Sequence, residues 1–183
     1  MATTEVRELP YWRALNEALH LEMRRDPTIV VMGEDVAGAA GRQDQGLVDA
    51  WGGPFGVTRG LIQEFGPERV LDTPISEAAF IGAGVGAAIG GLRPWVDLMF
   101  TYFAGVAWDQ IVHKFAQEHW ITAGQAHVPM VIKTFGPCYS PFVHFPGMKC
   151  VAPSSPYSAK GLTIAAIRDD NPVIFFEHKY LYR

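Results

Sequence analysis

Short apolar runs alternate with helical patterns along the whole chain. The run at residues 28–32 is β-branched and apolar throughout, which is typical of a strand buried in a parallel sheet. Residues 10–25 instead place apolar side chains at helical spacing. The pattern predicts strands at 28–32, 70–71, 93–100, 128–134, 149–153 and 173–176, and helices at 10–25, 61–65, 104–123 and 157–168, with one more after Ser76. This βαβ order predicts an α/β fold with a doubly wound, mostly parallel sheet, in one domain over residues 1–183.

The central stretch, residues 70–99, places an acidic residue where a strand gives way to a helix. The strand stops at Asp72-Thr73-Pro74, and Glu77 follows in the first helical turn. Glu77 is either an ordinary first-turn acid that meets the helix dipole or a group that faces a ligand at the carboxyl edge of the sheet. The glycines of this helix cost about 1 kcal/mol each relative to alanine. They favour the second interpretation, because such residues are tolerated where a ligand or another backbone comes close: Gly82, Gly84, Gly86, Gly90 and Gly91.

The same glycines suggest a competing dinucleotide site. Residues 82–87 fit the letters of a G-x-G-x-x-A fingerprint. That motif requires a strand running directly into it and an acidic residue about 20 positions later at a strand end. Here the strand stops at Asp72, and Asp97 comes too early and inside its strand. A nicotinamide site is therefore the weaker hypothesis.

Composition narrows the class of protein. The chain has 183 residues, 49% of them hydrophobic and 19% charged, with a net charge of −4, so a nucleic-acid surface is disfavoured. Cys138 and Cys150 lack the spacing of a disulfide framework or a zinc site. No apolar run reaches the roughly 18 residues of a membrane span, and no signal core stands at the start. We expect a cytoplasmic protein that binds neither nucleic acid nor membrane.

The order and spacing of several motifs resemble a known family. Residues 71–103 (LDTPISEAAFIGAGVGAAIGGLRPWVDLMFTYF), with VMGEDV at 31–36, EFGPERV at 64–70 and the segment 146–182, resemble the pyrimidine-binding module of the E1 β subunit of thiamine-diphosphate-dependent 2-oxo-acid dehydrogenases. The resemblance covers nearly the whole chain and is of the pyruvate or acetoin dehydrogenase type. Residues 37–56 look more like the acetoin branch.

The resemblance implies an oxidoreductase that decarboxylates a 2-oxo acid, or cleaves acetoin, and passes the acyl group to a lipoyl group. It implies that Glu77 is catalytic through the N1′ atom of the cofactor's pyrimidine. Met99 and Phe103 would contact the same ring, although Phe103 taken alone could equally be a core residue. Glu34 would line the site, although an acid after a strand is more often solvated loop.

The resemblance also implies cofactors and partners that this chain does not supply alone. Residues 1–183 hold no Gly-Asp-Gly segment followed by an asparagine, so magnesium and the diphosphate would be held by an α subunit in a heterotetramer. A lipoyl-bearing acyltransferase core would be a further partner. A potassium site is implied at the turn 167–172, which otherwise reads as an ordinary Asx/Pro turn. Its residues would be Met130, Ala166, Ile167, Asp169 and Asn171.

Two departures from the family keep rival hypotheses open. About a dozen residues of a histidine-bearing active-site loop are absent after Pro137, either deleted or skipped in the sequence; the family pattern resumes at residues 144–147, which favours the second. The resemblance stops at Arg183, where the family continues into a second α/β domain, so we expect that domain to be absent. The rivals are a non-catalytic assembly subunit or fragment and a nucleotide-binding doubly wound domain.

Overall fold

The core of the computed structural model is a six-stranded sheet in which every neighbouring pair of strands is parallel. The structure describes residues 7–38, 52–136 and 139–182. The strand order is β2-β1-β3-β4-β6-β5. The strands are β1 (Ile29–Gly33), β2 (Val70–Asp72), β3 (Arg93–Phe100), β4 (Val131–Phe135), β5 (Lys149–Val151) and β6 (Val173–Glu177). The α/β prediction with a mostly parallel sheet is confirmed.

Helices cover both faces of the sheet, as expected for a doubly wound fold. They are α1 (Tyr11–Arg25), α2 (Leu61–Phe65), α3 (Glu77–Ile89), α4 (Glu118–Ile121), α5 (Ser140–Val143) and α6 (Pro156–Arg168). On one face α1 packs against α6 over a core that includes Leu15, Trp95 and Phe175. On the other, α3 packs on β3 over a core that includes Phe80, Ile111 and Phe176. No helix among the described residues is long and apolar enough to cross a bilayer.

The single helix predicted over 104–123 is wrong. The chain instead forms a 3-10 helix at Thr101–Ala107, a π-helix at Gln110–Ala116 and then α4. Buried residues are three apart in the first segment (Ala104, Ala107) and four apart in the second (Ile111, Phe115). These spacings follow the local helical periods, so packing against α3 and the sheet overrides a uniform α-helix.

The other differences lie at strand ends. β4 begins at Val131 instead of 128, because Met130 N–H donates locally to the Val128 carbonyl at 2.8 Å and Pro129 has no N–H to donate. β5 ends at Val151, before Ala152-Pro153. Ser76 does precede α3, but its side chain forms no capping hydrogen bond.

A close backbone approach ties the segment after β4 to the π-helix. Gly147 has φ +104°, and a Cβ atom there would lie 1.9 Å from the Ala116 carbonyl oxygen. No side chain fits at that distance, so this crossing requires glycine.

We expect Gly147→Ala to lower the free energy of unfolding by about 2 kcal/mol or more, because the added methyl group meets backbone and the φ is unfavourable. Gly86→Ala is the matched control, since a Cβ atom at this exposed position in α3 meets nothing within 4 Å. It should raise stability by up to about 1 kcal/mol. Urea denaturation of both variants measures the difference; equal stabilities would contradict the close approach.

Candidate active site

The carboxyl ends of β1, β2 and β3 meet at one edge of the sheet. Parallel pairing sets Gly33 of β1 opposite Asp72 of β2 on one side and opposite Asp97 of β3 on the other. Two hydrogen bonds join the loops that follow: Thr73 N–H donates to the Gly33 carbonyl at 2.9 Å, and Ala37 N–H donates to the Asp72 carboxylate at 2.7 Å. The loops after β1 and β2 are therefore fixed against each other.

Gly33 lets β1 approach β3 closely at this edge. Its φ is +154°, and a Cβ atom there would lie 2.7 Å from the Asp97 carbonyl oxygen. That distance is shorter than side chains tolerate, so the position needs glycine. Glu34 follows directly, and its charge interacts with that of Glu77, the first residue of α3.

Glu34 and Glu77 share an acidic environment at the sheet edge. Both are half-buried; Glu34 follows β1, and Glu77 is the first residue of α3. Burial raises the pKa of Glu34, and the negative charges of Glu77, Asp35 and Asp97 raise it further. Among the described residues, neither Glu34 nor Glu77 forms an ion pair with a basic side chain. The pair is available to a ligand that supplies hydrogen-bond donors.

Met99 and Phe103 lie where β3 passes into the 3-10 helix. Met99 is half-buried and has φ +65°, the left-handed conformation. Phe103 is 37% exposed, and its ring meets that of Phe100 edge to face with the centroids 5.7 Å apart. Since α3 packs on both β3 and the 3-10 helix, all four predicted site residues belong to elements that meet at this edge.

The five residues of the predicted potassium site lie around the C-terminal end of α6 and the start of β4. They are Met130, Ala166, Ile167, Asp169 and Asn171. The Arg93 guanidinium donates to the carbonyls of Ile167 and Asp169, both at 3.0 Å. Each carbonyl keeps a second lone pair, so the set still fits a cation, although Arg93 already brings positive charge. The potassium site stays a prediction. In the described part of the chain no three His, Cys, Asp or Glu side chains are grouped as metal ligands.

A buried charge network that the sequence did not predict lies beside the site. Lys133 of β4 is fully buried, and its ammonium lies 3.0 Å from the Asp97 carboxylate and 3.1 Å from that of Glu177 on β6. The ammonium also lies 3.8 Å from the centre of the Phe135 ring. The signal was available: Asp97, Lys133 and Glu177 each lie within or at the end of an apolar strand, and the burial of charged residues requires partners.

Two carboxylates thus share one ammonium. Glu177 also accepts a hydrogen bond from the Tyr182 hydroxyl, while its other carboxylate oxygen is buried without a partner among the described residues. Burial raises the pKa of Glu177 from 4.5 to about 7, and the Asp97 charge adds to the rise, against the lowering by Lys133 and Tyr182. The fold therefore holds Glu177 with a higher proton affinity than an exposed glutamate has.

Comparison with protein families supports the similarity noted above. The model of the transketolase pyrimidine-binding domain matches residues 7–183. The β subunit of acetoin:2,6-dichlorophenolindophenol oxidoreductase from Cupriavidus necator is 47% identical over 188 residues, which cover 96% of this chain and 55% of that protein. The protein of the same name from Bacillus subtilis is 47% identical over 181 residues, covering 92% and 53%.

A further relative and a solved structure agree. The pyruvate dehydrogenase E1 component subunit beta from Rickettsia felis is 44% identical over 184 residues, covering 92% of this chain and 52% of its own. The chain spans about half the length of the curated relatives it matches. A solved structure, a split-gene transketolase described as an inactive beta4 tetramer, superposes with a TM-score of 0.68 at 17% identity over 94% of this chain and 52% of its own. That likeness shows the shared fold.

We expect the raised pKa of Glu177 to make stability depend on pH. Between about pH 4.5 and 7 the folded state keeps a proton on Glu177 that the unfolded chain has lost, so the free energy of unfolding falls as the pH rises through this window. Glu177→Gln removes this contribution. Urea denaturation at both ends of the window measures the difference between the variant and the wild type; identical slopes in the two proteins would contradict the assignment.

Proposed function

The chain belongs to the transketolase pyrimidine-binding domain family, and on this premise we propose that it forms the pyrimidine half of a thiamine-diphosphate site in an E1-type dehydrogenase. One observation carries the proposal. Glu77 is half-buried at the N-terminus of α3, near Glu34, and has no basic partner in the described part of the chain. A half-buried carboxyl group without a basic partner can form a hydrogen bond to a nitrogen atom of a heterocyclic ring.

The side chains at the sheet edge fit an aminopyrimidine ring. Glu77 offers the polar group that a ring nitrogen needs, and Glu34 offers a second carboxyl beside it. Met99 and Phe103 offer apolar surface at the end of β3, where ring contacts add about 0.5–1.5 kcal/mol beyond burial. When bound, thiamine diphosphate supplies the carbanion chemistry that side chains lack.

This chain's residues bind and orient the ring and hold a proton. Glu77 holds the proton that it would share with the pyrimidine N1′ atom of the bound cofactor. Glu34 lies nearby, and burial together with the charges of Glu77, Asp35 and Asp97 raises its pKa. Met99 and Phe103 exclude water and fix the ring plane.

The remaining parts of the active site come from partners. Residues 1–183 contain no Gly-Asp-Gly segment followed by an asparagine, so an α subunit supplies the magnesium and diphosphate site in a heterotetramer. The acyl group then passes to a lipoyl-bearing acyltransferase core. A potassium ion would be held at the turn after α6 by oxygen atoms of the five residues named above, beside the Arg93 guanidinium, and would stabilise that turn. The complex works in the cytoplasm, and residues 1–183 serve as its pyrimidine-binding domain.

The substrate is a 2-oxo acid such as pyruvate, or acetoin. The relatives named for acetoin are 47% identical to this chain and the relative named for pyruvate is 44% identical. Residues 37–56 also look more like the acetoin branch, although 39–51 lie outside the described residues. Acetoin is therefore the first substrate to assay.

The shortened junction after Gly136 supports one alternative. Residues 137 and 138 lie outside the described residues, and the histidine-bearing loop of the family is absent from the sequence there. A chain that truly lacks this loop serves as a non-catalytic assembly subunit. The intact mass of the natural protein decides whether the loop exists.

We expect Glu77→Gln to reduce turnover by at least about 100-fold in the complex with a matching α subunit, because the amide cannot hold the shared proton. Light scattering should show an unchanged complex. Glu64→Gln on α2 is the control, because this acid pairs with Arg24 on the surface, and it should retain activity. Near-normal turnover in Glu77→Gln would remove the hypothesis.

A further inference from the structure

Met99 holds a backbone conformation that its side chain does not favour. Its φ is +65°, a region that costs non-glycine residues of order 1–3 kcal/mol and persists only where the surroundings impose it. The pairing of β3 with β4 also shifts here, from Asp97 opposite Lys133 to Met99 opposite Thr134. Leu98 is thus the extra residue of a bulge, and a bulge changes the direction in which the following side chains point.

Two side chains hold both backbone polar groups of Met99. The Asp97 carboxylate accepts the Met99 N–H through Oδ1 at 2.8 Å. The Thr134 hydroxyl donates to the Met99 carbonyl at 3.2 Å and lies 3.3 Å from the Thr101 hydroxyl. Thr101 in turn donates to the Phe135 carbonyl at 2.6 Å. The turn at Met99 is therefore anchored to β4, the next strand of the sheet.

The carboxylate of Asp97 is itself immobilised. Its second oxygen, Oδ2, accepts from the Lys133 ammonium at 3.0 Å, and Asp97 is only 5% exposed. Lys133 cannot move away, because it is fully buried and also pairs with Glu177 at 3.1 Å. Because each oxygen of this buried carboxylate has a hydrogen bond, Asp97 links the turn at Met99 rigidly to the core.

We infer that Asp97 is a positioning residue of the pyrimidine slot: clamped by Lys133, it imposes the left-handed turn at Met99 and so aims Met99 and Phe103 at the ligand. The inference rests on the proposed function for the identity of that ligand. The position of Phe103 depends on the same turn, because the 3-10 helix that carries Phe103 begins at Thr101, two residues after Met99. Asp97 acts through Met99 and needs no contact with the ligand.

The test is a double-mutant cycle in the complex with a matching α subunit. Asp97→Ala removes the carboxylate that links Met99 to Lys133. Lys133 keeps Glu177 as its partner, so no uncompensated charge is left in the core. Met99→Gly lets the backbone adopt a positive φ without strain. If Asp97 acts through the turn, its loss matters far less once position 99 is glycine.

We expect Asp97→Ala to weaken thiamine diphosphate binding, with magnesium present, by about tenfold or more. The same change in the Met99→Gly background should weaken it by less than about twofold. Glu22→Ala is the matched control: Glu22 is a buried acid paired with Arg25 and Arg168 between α1 and α6, so its loss lowers stability but leaves binding unchanged. Equal weakening by Asp97→Ala in both backgrounds, or none in either, would overturn the inference.

A second readout separates this inference from the proposed function. The chain has only six methionines, so its methionine methyl NMR spectrum is simple enough for the methyl signal of Met99 to be assigned in the isolated chain. Asp97→Ala should shift or split the Met99 methyl signal, and Glu22→Ala should leave it in place. If the wild-type complex binds no thiamine diphosphate, the proposed function fails, and an unmoved Met99 signal in Asp97→Ala would overturn the positioning role independently.

Discussion

One buried ammonium group, that of Lys133, pairs with two carboxylates at the centre of the sheet, and the geometry of the candidate site depends on it. The three residues come from β3, β4 and β6, so the charges link three neighbouring strands. Without Lys133, the buried carboxyl groups of Asp97 and Glu177 would lose the ammonium that pairs with both, and breaking a buried ion pair typically costs about 3–5 kcal/mol. Asp97 connects this buried network to the site edge, because its other oxygen accepts a hydrogen bond from the Met99 N–H and so fixes the turn there.

The site edge combines this rigid core with close backbone crossings. Gly33 allows the backbone of β3 to approach β1 closely. The hydrogen bond from Thr73 N–H to the Gly33 carbonyl fixes the loop after β2 against the end of β1. Main-chain contacts therefore fix the loop that carries Glu34, and within residues 7–38, 52–136 and 139–182 neither Glu34 nor Glu77 has an ion pair. The outcome is a half-buried acidic pair next to apolar residues, which is the kind of surface that a polar heterocycle fits.

The sequence predicts this fold well where the signal is local. Continuous apolar runs predict β1, β3 and β6 within a residue or two, and the strand-to-helix passage correctly predicts Glu77 in the first turn of α3. The 3-10 and π segments at 101–116 were missed because tertiary packing, not local pattern, sets their period. The pairing of Asp97 with Lys133 was missed because these residues are 36 positions apart in the sequence and meet only through the register of β3 with β4. The left-handed turn at Met99 has no sequence signature at all.

The central claim is that this chain supplies half of a shared cofactor site. The most direct measurement is calorimetric titration of thiamine diphosphate, with magnesium, into the chain alone and into its mixture with a matching α subunit. A shared site predicts binding in the mixture and none, or far weaker binding, by the chain alone. No binding in the mixture, together with tight binding of a nicotinamide or flavin nucleotide by the isolated chain, would contradict it.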